Sequence, residues 1–149
     1  MQKTYLALGC FWKPEEIFRK MPGIIETEVG YAGGRDSNTN YEEVCTGKTG
    51  HAETIKIIYD EKIISYEELL QAFFKIHDPT QKDMQYPDVG TQYRSEIFYE
   101  NEQQKNIAEK YKKLLNKKFN EKIETNISKI KNYCKAEEHH QKYIMKRNQ

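Results

Sequence analysis

Gly9-Cys10-Phe11-Trp12 sets a cysteine between a short apolar run and two large aromatics, immediately ahead of a helix start. A free thiol, with a pKa of about 8.5, is only a few per cent ionised at neutral pH, and the positive end of a helix dipole favours the thiolate. Cys10 is therefore the first candidate nucleophile, with a lowered pKa expected; the competing reading of an isolated cysteine is a buried residue closing a core strand. Other polar residues gather at the ends of elements rather than on apolar faces: Tyr41, His51-Ala52-Glu53, Asp78, and Asp88 followed by Gly90-Thr91-Gln92-Tyr93-Arg94-Ser95.

The elements that must carry these residues are legible in the apolar pattern. Residues 4–8 are nearly continuously apolar, as in a strand buried on both faces, and Pro14 to Met21 reads as a helix turning Ile17 and Phe18 inward before Pro22-Gly23. Ile25, Thr27, Val29 and Tyr31 alternate with Glu26, Glu28 and Gly30 in a strand running into Gly33-Gly34 and an exposed loop to Asn40. A third strand from Glu53 to Tyr59 puts Ile55, Ile57 and Tyr59 on one face, and Ser65-Tyr66-Glu67-Glu68 is a capping box before the Leu69, Leu70, Phe73, Phe74 stripe of a helix ending ahead of Asp78-Pro79. Residues 79–92 have no period and read as a long functional loop. A strand from Ser95 to Tyr99 follows, then a helix capped by Asn101 with Ile107, Ala108, Tyr111, Leu114 and Leu115 on one face. Alternation at Ile123, Thr125 and Ile127 predicts a last strand, and a short helix from Lys135 to Met145 completes the reading. Strands separated by helices, some too closely joined for a parallel crossover, predict an α+β fold: a two-layer α/β sandwich with a mixed, largely antiparallel central sheet and a ferredoxin-like core.

With 149 residues the chain fits a single catalytic domain, 1–149. Its 24 basic and 23 acidic side chains leave a formal net charge of +1, so no global field favours nucleic acid or a membrane surface, and the lysines of 110–118 read as the solvated face of a helix. Three scattered cysteines, at 10, 45 and 134, make no disulfide framework and suit the reducing cytoplasm. No stretch approaches a membrane span, and the first residues lack the pattern of a signal peptide. Cys134, His139 and His140 do not follow the spacing of a common zinc site, so no metal is expected.

Read in order, Gly9-Cys10-Phe11-Trp12, Gly30-Tyr31-Ala32-Gly33-Gly34, Thr49-Gly50-His51-Ala52-Glu53, His77-Asp78-Pro79-Thr80 and Gly90-Thr91-Gln92-Tyr93-Arg94-Ser95 resemble the A-class peptide methionine sulfoxide reductases over nearly the whole chain. The resemblance implies an α/β sandwich around a mixed sheet and thiol-dependent reduction of methionine S-sulfoxide, free or in peptides and oxidised proteins. It implies Cys10 as nucleophile, passing through a sulfenic acid, and Glu53 as the acid, with Tyr41 and Tyr93 as phenols on the sulfoxide oxygen. It further implies Phe11 and Trp12 as the wall for the substrate methyl, Asp88 as a contact to the substrate main chain, and His51 as a support around the site. No bound cofactor is implied; the reductant would be an external thiol such as thioredoxin, glutaredoxin or glutathione, acting on a cytoplasmic monomer.

The chain also departs from that pattern. Lys13-Pro14-Glu15 follows Trp12 where many relatives carry a small or thiol-bearing residue, and Tyr86 stands where glycine is frequent. Many relatives carry one or two cysteines in a tail after the final helix, whereas this sequence reaches Gln149 without one. Cys134, in Tyr133-Cys134-Lys135-Ala136-Glu137-Glu138, is either a resolving thiol for Cys10 or a buried small residue, and Cys45 is expected to be structural. Two other classes stay open on the residues alone: a cysteine hydrolase pairing Cys10 with His51 or His77, and a binder of oxidised methionine that does not reduce it.

Overall fold

β1 (Gln2–Leu8) enters the middle of the sheet directly, because every side chain from Thr4 to Leu8 is buried. The structure, a computed structural model, describes residues 1–118, 120 and 122–148, so the terminal Gln149 lies outside it. α1 (Trp12–Arg19) follows at once, then β2 (Ile24–Ala32), the short α2 (Tyr41–Cys45), β3 (Ala52–Tyr59) and α3 (Tyr66–Ile76). The hairpin of β4 (Met84–Gln85) and β5 (Asp88–Val89) and a 3-10 turn over Thr91–Tyr93 lead to β6 (Ser95–Tyr99) and α4 (Glu102–Lys118). β7 (Asn126–Lys129), β8 (Cys134–Lys135), a 3-10 turn over Glu138–His140 and α5 (Tyr143–Arg147) close the chain.

The main sheet runs β7-β6-β1-β3-β2-β8, antiparallel throughout except for the parallel β6-β7 pair. Its four central strands follow the βαββαβ order of a ferredoxin-like core, as the sequence predicts. Leu6, Leu8, Val29, Tyr31, Ile55, Ile57 and Ile97 face the helices, meeting Phe18 of α1 and Leu69, Leu70, Phe73 and Phe74 of α3. Each such fully buried side chain contributes about 1.5–3 kcal/mol, so this single layer of helices anchors the sheet. The other face, with Tyr5, Ala7, Ala32, Ala52 and Phe98, is covered by Ile130 and Tyr133. Among the described residues no helix is long and apolar enough to cross a membrane.

Local signals that involve only neighbouring residues are realised. Ser65 and Glu68 form both halves of the capping box at α3. Where tertiary contacts compete, the expectations change. A bulge between Ile24 and Glu26 leaves Ile25 52% exposed rather than facing inward, and Leu114, at the border of the α4 stripe, is exposed. Ile123 and Thr125 are buried but precede β7, held by Thr125 Oγ1 to Ser95 and the Glu124 N–H to Pro79 O rather than by strand pairing.

The predicted single helix from Lys135 to Met145 is a two-residue strand, a 3-10 turn and a short helix. The Gln141 side chain replaces a strand at the β2 edge, accepting from Val29 N–H and donating to Val29 O, both at 2.9 Å. Lys142 is left-handed at φ 49°, with its N–H given to buried Glu15 at 2.7 Å. These distant partners outweigh the local helical bonds.

Candidate active site

The turn between β1 and α1 presents Cys10. Gly9 turns there at φ 94°, and a Cβ on it would stand 2.9 Å from the Gln85 side chain, so the turn packs tightly against the β4–β5 hairpin. Cys10 is half-buried and Phe11 fully buried, and the Phe11 N–H donates to Glu53 Oε1 at 3.2 Å. This bond joins the turn to β3 across 42 residues and sets the carboxyl beside the sulfur. Glu53 is 2% exposed, and burial pushes its pKa up to about 8, the Phe11 N–H opposing and Asp88 reinforcing the shift.

Cys10 itself corrects the sequence expectation. Its thiol is pushed up to about 11, because burial and the carboxyls of Glu53 and Asp88 outweigh the Trp12 N–H at the helix start. In the free protein both the sulfur and the acid carry protons at neutral pH.

Tyr41 and Tyr93 complete the wall. Tyr41 opens α2, a helix in a stretch to which the sequence reading assigns no element, where Asn40 caps the first turn by accepting from the Glu43 N–H. Its phenol is pushed up to about 12, first by the Cys45 sulfur one helical turn on, then by burial, with Glu53 and Cys10 adding their charge. Burial likewise raises Tyr93, reinforced by Glu53, Tyr41, Cys45 and Asp88. Asp88, in β5, thus acts on Cys10, Glu53 and Tyr93 together. Both phenols remain protonated donors at any physiological pH.

Phe11 and Trp12 form an aromatic side to this space. Trp12 stacks on Tyr143 with centroids 3.9 Å apart and rings inclined by 8°, while Phe11 lies 5.8 Å from Tyr31. The carboxy-terminal segment contributes Glu137, which lies in the Tyr133 to Glu138 run but has no role in the sequence reading. Glu137 accepts from the Tyr31 hydroxyl at 2.8 Å and the Tyr41 N–H at 2.9 Å, so one carboxylate pins β2 to the start of α2. The signal available in the sequence is the dense polar and aromatic run from Glu137 to Tyr143; Cys45 is findable as the residue one turn after Tyr41.

Other candidates sit outside this convergence. His51 is buried with Nε2 bonded to Asp36 O at 2.7 Å, and its ring fills the space where a Cβ on Gly34 would stand, so it braces the loop after β2. His77 spends both nitrogens on Phe73 O and Ser95 Oγ and is pushed down to about 4 by burial. Asp78 caps its own turn through Thr80. Cys134 lies on β8 opposite Tyr31, its thiol donating to Thr39 O at 3.5 Å. Neither it nor Cys10 is paired in a disulfide. Among the described residues no cluster of three His, Cys, Asp or Glu side chains is arranged to hold a metal.

A half-buried thiol facing a neutral carboxyl and two phenols is the equipment of a thiol reductase acting on a polar S=O or similar acceptor. The profile of peptide methionine sulfoxide reductase matches residues 2–149, and this chain belongs to that family. It is 54% identical to the peptide methionine sulfoxide reductase MsrA of Pelagibacter ubique over 147 residues, covering 99% of this chain and all of that protein. Reduced Mxr1 from Saccharomyces cerevisiae superposes with a TM-score of 0.94 at 40% identity, covering 99% of this chain and 86% of that one. Mxr1 in complex with Trx2 superposes at 0.67 with 30% identity, covering 95% and 84%.

Proposed function

We propose that this chain reduces methionine S-sulfoxide, free or within oxidised proteins, with Cys10 as the nucleophile and Glu53 as the proton donor. The observation that carries the assignment of roles is the buried Glu53 carboxyl, held by the Phe11 N–H beside the Cys10 turn and neutral up to about pH 8. A sulfoxide sulfur is a weak electrophile until its oxygen is protonated. Glu53 gives its proton to that oxygen while Tyr41 and Tyr93 donate hydrogen bonds to it. The positive charge that develops on the substrate offsets the carboxyls that hold the Cys10 thiol protonated; its proton passes to the Glu53 carboxylate as the sulfur attacks. Attack joins the Cys10 sulfur to the substrate sulfur; that S–S bond and the substrate S–O bond then both break as the hydroxyl passes to the Cys10 sulfur, so methionine leaves with the electron pair and Cys10 carries the oxygen as a sulfenic acid.

Two equivalents of thiol return the enzyme: the first forms a mixed disulfide with Cys10 and releases water, the second releases the Cys10 thiol and leaves the reductant as a disulfide. A thioredoxin-type protein is the proposed reductant of Cys10, by analogy with the Mxr1 complex, with the Cys134 thiol engaged instead on Thr39 O. No bound cofactor enters this cycle. Unpaired cysteines and a thiol-driven cycle fit the cytoplasm. Phe11 and Trp12 hold the substrate methyl, so that one epimer directs its oxygen at Glu53, and Asp88 faces the substrate main chain.

The test is turnover of the S and R epimers with dithiothreitol, followed by mass spectrometry after one equivalent of substrate without reductant. An added oxygen on the Cys10 peptide, absent in Cys10→Ser, is the expected result. Full activity in Cys10→Ser refutes the reading, and a Cys10–Cys134 disulfide refutes direct reduction.

A further inference from the structure

Arg94 closes the 3-10 turn that presents Tyr93, and its guanidinium is bonded on three sides. Nη1 donates to Thr91 O of the same turn at 3.0 Å, Nη2 to Gly50 O at 2.9 Å, and Nε to Glu96 Oε1 at 2.7 Å. Gly50 stands ahead of Glu53 at the entrance to β3, while Glu96 lies in β6 and accepts from Ser128 Oγ of β7 with its other oxygen. The ion pair is well shielded, with the Arg94 side chain 13% and that of Glu96 9% exposed. Gly33 leaves room for it, since a Cβ there would stand 2.9 Å from Nη2.

The turn over Thr91–Tyr93 holds itself with two backbone bonds, Tyr93 N–H to Gly90 O and Arg94 N–H to Thr91 O, too few to fix its tilt against the sheet. Yet the Tyr93 phenol has to reach the same oxygen as the Glu53 carboxyl, so the turn must keep a set distance from β3. Among the described residues Arg94 is the one side chain hydrogen-bonded both to the turn and to the stretch leading into Glu53. A planar guanidinium, whose donors point in fixed directions, sets the spacing and the angle of those two carbonyls at once. We propose that Arg94 is a positioning residue that holds the Tyr93 phenol at the sulfoxide oxygen by tying its turn to the entrance of β3. The inference rests on the roles given to Tyr93 and Glu53 under the proposed function.

The bridge acts through position rather than charge. Glu96 neutralises the guanidinium, and the proton on Glu53 is held by burial and Asp88 against the Phe11 N–H. Loss of the bridge therefore lets Tyr93 drift while Glu53 stays protonated. A donor to the oxygen matters most where charge develops on it, so the cost falls on kcat rather than on KM.

The experiment is a double-mutant cycle of Arg94→Lys and Tyr93→Phe, read by steady-state kinetics with methionine S-sulfoxide and dithiothreitol. Lysine keeps a cation beside Glu96 but has a single nitrogen, which cannot serve Thr91 O and Gly50 O in the geometry of the planar fork. Arg94→Lys is expected to lower kcat by about fivefold or more, to leave KM within about twofold, and to leave the fall of kcat/KM through about pH 8 in place. Added to Tyr93→Phe, the same change is expected to cost less than about twofold, because the group it positions is already gone. A smaller loss of kcat in Arg94→Lys, a KM raised beyond that range, a displaced pH limb, or a larger further loss in the double variant overturns the proposal. Should Arg94→Lys not fold, the arginine side-chain resonances of the wild-type protein decide: separate Nη signals, from a guanidinium that does not rotate, support the bridge, and one averaged signal overturns it. Failure of the wild-type protein to reduce the sulfoxide defeats the proposed function instead, and the Arg94 resonances are readable in either case.

Discussion

Replacing Glu53 by glutamine should disable the enzyme and stabilise the fold, with a pH dependence that identifies the cause. Glu53 is 2% exposed and its carboxyl rises from 4.5 to about 8 on folding, chiefly through burial. Below the unfolded value both states are protonated and the carboxyl has no effect on stability. Between the two values the unfolded chain releases the proton and the folded chain keeps it, so stability falls as pH rises, and above about 8 the loss is complete. At 1.36 kcal/mol per unit, the penalty reaches about 3 kcal/mol at pH 7 and at most roughly 5 kcal/mol above pH 8. The amide introduced by Glu53→Gln would fill the same space, still accept the Phe11 N–H and never ionise. Urea unfolding at pH 5, 7 and 8.5 should give similar stabilities at pH 5 and a growing advantage of Glu53→Gln above it. The same variant should lose about 10²–10⁴ in kcat, the usual contribution of a general acid. A constant stability difference across pH would refute the buried neutral carboxyl, and a rate within about tenfold of wild type would refute its role as acid.

Further outcomes follow from the same geometry. Tyr41→Phe and Tyr93→Phe should each lower kcat by about tenfold to a hundredfold, less than Glu53→Gln because one phenol still donates to the oxygen; steady-state kinetics with dithiothreitol checks this. Cys10 in the free protein should alkylate slowly at pH 7 and accelerate with an apparent pKa near 11, read from iodoacetamide rates; a midpoint below 8 would restore a dipole-activated thiolate. The kcat/KM profile should fall as pH rises through about 8, where Glu53 loses its proton. Glu137→Ala strands the Tyr31 hydroxyl and the Tyr41 N–H, so thermal unfolding should show a loss of about 2–3 kcal/mol, with reduced kcat as Tyr41 loosens.

Much of this protein is written in short-range signals. The capping box at Ser65, the alternation of the third strand and the order of motifs around Cys10, Glu53 and Tyr93 act through residues adjacent in the chain, and a linear reading captures them. The Asn40 cap is equally local but faint, since α2 has only five residues and no apolar stripe. The carboxy-terminal segment is beyond such a reading: its helical pattern yields to Gln141 on the β2 edge and Glu15 on the Lys142 N–H, partners more than a hundred residues away. The ionisation of the site belongs to the same class. Sequence alone places a thiol at a helix start, where the dipole lowers its pKa; only the folded chain brings Glu53 and Asp88 against it and excludes water, and burial with like charge outweighs one N–H. Residue types specify which groups can react, whereas desolvation and through-space charge, summed over distant segments, decide which of them hold a proton.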